Sequence, residues 1–148
     1  MKELSIYIPT WNRVEFLPEL LDSVLESANG HEDKVEIVIS DNASDDSTPG
    51  VIARYMARCS IIRRHRNDTN IGDRNFLQAP HLCAGRYLWL LGDDDKIANE
   101  TIGKILGAIE DRPALVVLDL AVHSKDLAVC LKSSFFGNGH PYRIEDRN

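Results

Sequence analysis

The sequence predicts an α/β fold, a mostly parallel sheet flanked by helices, on two observations. Short apolar runs alternate with helically spaced apolar residues over residues 4–120, the pattern of a sheet covered on both faces. Several runs also stop on polar residues: Pro9-Thr10 after the first, Asp41-Asn42 after the second and Gly92-Asp93-Asp94-Asp95 after a later one. Ligands of such sheets sit beyond the carboxyl ends of the strands, so these residues are expected to share one crevice.

Leu4 to Ile8 is the first expected strand, closed by Pro9-Thr10 because proline donates no ladder hydrogen bond. Phe16, Leu17, Leu20, Leu21, Val24 and Leu25 then recur at helical spacing, with Pro18 in the first turn and Asn29-Gly30 as the stop. Val35 to Ser40 reads as a second buried strand. Thr48-Pro49 is expected to cap and open the next helix, whose apolar face is Val51, Ile52, Tyr55, Met56 and Cys59. Ile61-Ile62 begins a third strand leading into Arg63-Arg64-His65-Arg66, which a solvated strand end explains, although a local anion could use it. After a turn at Asn67 to Asp73 comes a helix from Arg74 to Cys83 that Pro80 should kink or break. Tyr87 to Leu91 is an expected buried strand, Asn99 an expected cap for a helix carrying Ile102, Ile105, Leu106 and Ile109, and Leu115 to Leu120 a further strand. The pattern weakens from Ala121, with a turn at Gly137-Asn138-Gly139-His140-Pro141.

At 148 residues, 43% hydrophobic and 27% charged, the chain has the composition of one ordinary globular domain. A net charge of −6 argues against a general nucleic-acid surface. Cys59, Cys83 and Cys130 are widely separated and form no CxxC, so neither a disulfide framework nor a zinc site is expected. A reducing, cytoplasmic setting follows, in which the sequons at Asn42, Asn67 and Asn99 are chance. No signal-peptide h-region and no run of membrane-span length is visible.

The adjacent carboxylates of Asp93, Asp94 and Asp95 repel one another, so their ionised state calls for a cation or a cluster of donors, making Mg²⁺ or Mn²⁺ the candidate cofactor. A solvated acidic turn before a helix is the plainer alternative. Neither G-x-G-x-x-G after the first strand nor a P-loop is present. Asp41 could accept from a ring N–H of a base, or close an Asx turn within Asp41-Asn42-Ala43-Ser44.

Taken in series, Ile8-Pro9-Thr10-Trp11-Asn12-Arg13, Asp41-Asn42-Ala43-Ser44-Asp45-Asp46-Ser47-Thr48, Asn70-Ile71-Gly72 with Arg74-Asn75, and Gly85-Arg86-Tyr87 leading into Gly92-Asp93-Asp94-Asp95 resemble the landmarks of family 2 glycosyltransferases. The flavour is that of bacterial surface-polysaccharide sugar transferases, the abequosyltransferase-like group, over about residues 4–110. The resemblance implies a GT-A fold, a nucleotide-sugar donor, a glycan or lipid-linked acceptor, a divalent metal and inversion at the anomeric carbon. It further implies that Pro9, Thr10, Asn12, Arg13, Asp41, Asn42, Arg74 and Asp93 serve nucleotide-sugar binding, Asp41 at the base. The triplet is the DxD-type element. Aligned to Asp-x-Asp-Asp, Gly92 stands where the first Asp would be, Asp94 becomes the metal ligand, Asp93 the ribose contact and Asp95 a supporting or alternative ligand; Asp93-x-Asp95 is a competing register. Residues 1–120 are thus expected as the nucleotide-sugar-binding domain and 121–148 as a partial acceptor-side segment or tail. No base for the acceptor hydroxyl is assigned, Glu145-Asp146 matching the family's late acidic pair only superficially; His140 is a late metal ligand by analogy alone, with an exposed turn histidine beside proline as the plainer reading. Peripheral association with the inner face of the membrane and a homodimer are the remaining expectations. A binding module without turnover is the second reading. A phosphoacceptor receiver domain is disfavoured, because its first strand should end in an acidic pair.

Overall fold

The computed structural model describes residues 1–124 and 130–132. The expected turn at Gly137 to Pro141 and the late acids Glu145-Asp146 lie outside them. The chain forms two compact units, Met1–Leu106 and Gly107–Asn148. No helix among the described residues is long and apolar enough to cross a membrane.

The first unit is built on a four-stranded parallel sheet in the order β3-β2-β1-β4, with β1 at Leu4–Thr10, β2 at Val35–Asp41, β3 at Ile62–Arg66 and β4 at Tyr87–Leu90. All seven residues of β1 and of β2 are buried, so both faces of these central strands are covered. β1 does not stop at Ile8 as expected but runs through Pro9, paired with Ser40, to Thr10, paired with Asp41. Proline is tolerated there because neighbouring residues of a parallel strand address opposite neighbours. The Tyr7 carbonyl accepts from Leu91 N–H at 3.0 Å and the Thr10 carbonyl from Asn42 N–H at 2.8 Å, so the Pro9 nitrogen turns toward β4, whose pairing has already ended at Leu90.

Helix α1, Leu17–Ala28, has Pro18 in its first turn and is followed by Gly30 at φ +80°, the stop the sequence signalled. Helix α2, Thr48–Met56, lies beside it: the buried Tyr55 donates its hydroxyl to Asp22 Oδ1 at 2.7 Å. Burial and that carboxylate together push the Tyr55 hydroxyl up to about 12. Thr48 is not the cap. Its backbone N–H donates to Asp46 Oδ1 at 2.8 Å, and its own hydroxyl accepts from Arg13 N–H at 2.9 Å; Ser47 stands at the cap position, Asp46 takes the first helical N–H, and Thr48 ties two loops together. Met56 closes α2 partly exposed, and Cys59 falls beyond it.

The helix expected over Arg74 to Cys83 divides into a 3-10 helix, Gly72–Gln78, and a short α3, Ala79–Leu82. Pro80 therefore opens a helix instead of kinking one, as its missing N–H permits in a first turn. α3 packs on the sheet face of Tyr7 and Val38 through Ala79 and Leu82. β4 alternates half-buried and exposed, with Leu88 41% and Leu90 48% exposed. The expected burial on both faces fails on one face, where Leu88 and Leu90, two residues apart, both stand uncovered among the described residues. Asn99 is not a cap either: its side chain donates to Glu26 on α1, and α4, Thr101–Ala108, begins after Glu100 at φ 64°. In the second unit, Leu115 to Leu120 forms no strand and exposes Leu115, Val117 and Leu120; a short antiparallel pair, β5 at Val122–His123 and β6 at Cys130–Lys132, stands in its place.

The basic run after Ile62 is β3 itself. Arg63 donates to Glu36 Oε2 at 2.8 Å and to the Leu82 carbonyl, and Glu36, buried on β2, also accepts from Ser5 Oγ at 2.5 Å and Ala84 N–H at 2.6 Å. Burial alone would raise the Glu36 carboxyl, but the Ser5, Ala84 and Arg63 donors outweigh it and hold the group below its ordinary 4.5. A carboxyl depressed in the folded state contributes stability that is present above the unfolded value and lost as pH falls through the folded one. Resistance to urea is therefore expected to weaken from pH 6 to below pH 4.5, the unfolded value. In Glu36→Gln that weakening should be smaller; an unchanged slope would show that this carboxylate is not a source of acid sensitivity.

Candidate nucleotide and metal site

The carboxyl edge of the sheet is closed by loops that grip one another. After β1, Asn12 adopts φ 52°, a left-handed conformation asparagine tolerates. Its side chain and Asp45 bond reciprocally, Asn12 Nδ2 to Asp45 Oδ1 at 2.6 Å and Asp45 N–H to Asn12 Oδ1 at 3.0 Å, while Asn12 N–H donates to Ser44 Oγ. The turn presents Arg13, half-exposed, across to the loop after β4, where its Nε lies 3.3 Å from Asp93 Oδ1. Arg13 also stacks over Phe16, 5.7 Å from its ring centroid.

Asp93 is largely buried. Burial raises its carboxyl above the ordinary range and the neighbouring Asp94 adds to the rise, while Thr10, Arg13 and the Trp11 backbone oppose it. Thr10 Oγ1, buried at the end of β1, has no hydrogen bond of normal geometry, although it faces this carboxylate. Asp95 folds back, its Oδ2 accepting from Gly92 N–H at 3.0 Å; burial raises its carboxyl, opposed by that bond, and Asp94 again adds to the rise. A Cβ on Gly92 would sit 2.8 Å from Asp95 Oδ2, so a side chain at 92 would push that carboxylate off its turn. Asp94 is exposed and makes no hydrogen bond among the described residues. The three acids are thus in three states: one ion-paired, one closing its own turn, one free.

No group of three or more Asp, Glu, His or Cys side chains among the described residues is gathered to hold an ion. The described residues therefore form no protein-only cage. What fits is an ion of the Mg²⁺ or Mn²⁺ kind that takes one or two carboxylates and completes its shell with substrate phosphates and water. Asp94 is the available carboxylate.

Asp41 and Asn42 are drawn inward. Asp41 is fully buried, Oδ1 accepting from Ser44 N–H at 2.9 Å and Oδ2 ion-paired with Arg66, which also donates to the Ser44 carbonyl at 2.9 Å. These bonds hold Ala43 at φ 62°, a conformation that costs an L-residue about 1–2 kcal/mol. Asn42 Oδ1 accepts from Asn67 Nδ2 at 3.0 Å and from Ile71 N–H at 2.9 Å, and its amide donates to Asn70 at 2.8 Å. Asn75, buried beneath, receives Ser40 Oγ at 2.7 Å and Asn67 at 3.0 Å. This amide network fixes the Asn70-Ile71-Gly72 turn to the end of β2 and carries the exposed Arg74 on the 3-10 helix, its Nε 3.4 Å from the Ile71 carbonyl. Sequence reasoning missed Arg66, Asp46 and the network. Only the repetition of asparagine at 42, 67, 70 and 75 hinted at the last.

Because burial lifts the Asp93 carboxyl above its ordinary range, ionising it costs more in the folded than in the unfolded chain, and stability is lost as pH rises from the unfolded value through the raised one. Asp93→Asn, fixed in the neutral form, is expected to be more stable than the wild type by about 0.5–1 kcal/mol near pH 7, with the difference closing toward pH 3. A calorimetric melt at both pH values tests this; a lower Tm at pH 7 would show that the Arg13 pair outweighs burial.

The model of Glycosyl transferase family 2 matches residues 5–148. Abequosyltransferase RfbV of Salmonella typhimurium is 39% identical over 119 residues, 78% of this chain and 35% of that protein. Among solved structures, the mannosyltransferase PcManGT of Pyrobaculum calidifontis, in complex with GDP-Man and Mn²⁺, superposes with a TM-score of 0.72 at 21% identity over 81% of this chain and 36% of that one. Staphylococcus aureus TarS 1-349 in complex with UDP-GlcNAc superposes with a TM-score of 0.65 at 22% identity over 74% and 31%. At these identities the two structures establish the GT-A fold. The chain spans about a third of the length of RfbV.

Proposed function

Since the chain belongs to glycosyl transferase family 2, we propose that its first unit binds a nucleotide-sugar donor along the carboxyl edge of the sheet, for transfer to a glycan or lipid-linked acceptor in surface polysaccharide synthesis. The observation that carries this reading is the meeting of Thr10, Arg13 and Asp93, from separate parts of the chain, beside the free carboxylate of Asp94.

Each residue then has a task. Pro9 and Thr10 floor the nucleotide where β1 ends. Arg13 compensates the charge of Asp93, which keeps that carboxylate available to accept from the ribose hydroxyls. Asp94 would hold the divalent metal with the donor's diphosphate, and the bound ion would offset the charge that develops on the departing nucleoside diphosphate. Asp95 keeps the turn closed. Arg74, exposed and braced from below, reaches toward the nucleotide. The acceptor hydroxyl attacks the anomeric carbon from the face opposite the diphosphate, inverting that centre, and its proton passes to a base that none of the described residues is assigned to be. A lipid-linked acceptor would bring the protein to the inner face of the membrane.

The test is a thermal-shift series with UDP, GDP, CDP and dTDP sugars, with and without Mn²⁺. A ligand at 100 times its Kd stabilises by about 2.7 kcal/mol, so binding should be plain. If no nucleotide raises Tm with metal present, the reading fails. Binding without turnover across many acceptors would favour the second reading, a binding module.

A further inference from the structure

Resting on the donor-binding reading above, we propose that Arg66 reads the carbonyl edge of the donor's base, beside the contact that the resemblance gives to Asp41. From β4 to β3 the sheet edge crosses three interstrand spacings, about 14 Å. A nucleoside diphosphate lying along it with its diphosphate at Asp93–Asp95 brings its base over the ends of β2 and β3, where Asp41 and Arg66 are paired neighbours.

Those two residues differ in what they offer. The Asp41 side chain is 0% exposed and each of its oxygens already accepts a bond, from Ser44 N–H and from Arg66, so Arg66 is the member of the pair that reaches solvent. The Arg66 side chain is 39% exposed. Its bonds to Asp41 and to the Ser44 carbonyl account for two of the five guanidinium N–H groups, and the rest have no partner among the described residues. The guanidinium is thus held at two points, part exposed and with donors to spare, a preorganised fork. His65 is engaged with Asn67, and Arg64 lies two residues back along the strand from Arg66. A fork of donors selects bases that present carbonyl oxygens with a second acceptor nearby. Guanine offers O6 and N7, and uracil and cytosine carry carbonyls as well. Adenine has none, and sets an amino donor beside its N7.

The experiment is titration calorimetry of the 148-residue chain with Mn²⁺ and UDP, CDP, GDP, ADP or inorganic pyrophosphate. At least one carbonyl-bearing nucleotide should bind ten-fold or more tighter than ADP. Arg66→Lys, which keeps a cation opposite Asp41 but loses the fork, should lower that affinity about ten-fold and leave pyrophosphate unchanged. Arg66→Gln provides a second variant. The Arg66 Nε–H resonance of the wild type supplies a readout independent of any substitution, and should shift with the preferred nucleotide and not with pyrophosphate. An unmoved resonance, an unchanged base preference in a folded Arg66→Lys, or an equal loss for pyrophosphate overturns the assignment. If the wild type binds no nucleoside diphosphate, the donor-binding reading falls, and this assignment with it.

Discussion

Asp94→Ala is expected to reduce the Mn²⁺-dependent part of nucleotide-sugar affinity, and any sugar transfer, by about 100-fold or more, with Tm unchanged. Asp94 is exposed and, unlike the equally exposed Asp95, contributes no hydrogen bond to the fold among the described residues, so its removal costs the protein nothing structural. Even groups that merely support metal ligands are worth 10–100-fold in affinity or activity. Asp95→Ala should behave differently: it releases Gly92 N–H from its bond and should cost less in metal-dependent affinity but some local order. Calorimetric titration with and without Mn²⁺ separates the two. A larger loss for Asp95→Ala than for Asp94→Ala would mean that the Asp93-x-Asp95 register is the working one, and a full Mn²⁺ response in Asp94→Ala would remove Asp94 from the metal altogether.

Gly85→Ala is expected to be the most destabilising small substitution in the first unit. A Cβ there would lie 2.6 Å from the Ser5 backbone nitrogen and 2.8 Å from the Leu4 carbonyl carbon. Both are backbone atoms of the central strand, which cannot step aside as a side-chain tip can. Gly85 N–H also donates to Ser5 Oγ at 2.7 Å, and Ser5 in turn serves the buried Glu36. Overpacking of this kind costs about 1–3 kcal/mol, to which loosening of the Glu36 cluster adds. Urea denaturation reads the loss directly. Gly50→Ala, where a Cβ meets nothing within 4 Å and the site lies in α2, is the matched control and should be neutral or slightly stabilising. Similar midpoints for the two variants would show that the Gly85 contact relaxes cheaply.

The parts of this fold that were legible in the sequence are those where local pattern and tertiary setting agree. β1, β2, α1 and α2 carry apolar periodicities that burial satisfies, and Pro18 and Gly30 mark the ends of α1 as their chemistry requires. The misreadings share one cause, since each depends on which neighbour a backbone group faces. Pro9 was expected to end a strand, yet the side it would have donated to was already unpaired. Thr48 has the composition of a cap, yet Asp46 reaches the amide first and leaves the Thr48 hydroxyl to bridge two loops. Arg63 to Arg66 read as a solvated run because no sequence window shows that Glu36 and Asp41 wait on the next strand. Tyr87 to Leu91 was expected to be buried on composition alone, whereas one face of this strand leaves Leu88 and Leu90 uncovered. At the site, the acidic turn and the paired loops were foreseeable from residue type. The division of labour within them was not, because Asp41, Asp93, Asp94 and Asp95 are alike in sequence and are distinguished only by Arg66, Arg13, solvent and Gly92.

The placement of β1 between β2 and β4 has a consequence in time. Its buried amide protons can exchange with solvent only when the central sheet opens, so they should report the free energy of global unfolding. The loops at residues 11–16 and 92–96, which supply Arg13 and the acids, are held by a few side-chain bonds and should open on a much lower rung. The site is therefore half anchored to the slowest part of the molecule and half to a fast one. A bound nucleotide should leave the β1 clock nearly untouched and slow that of the loops.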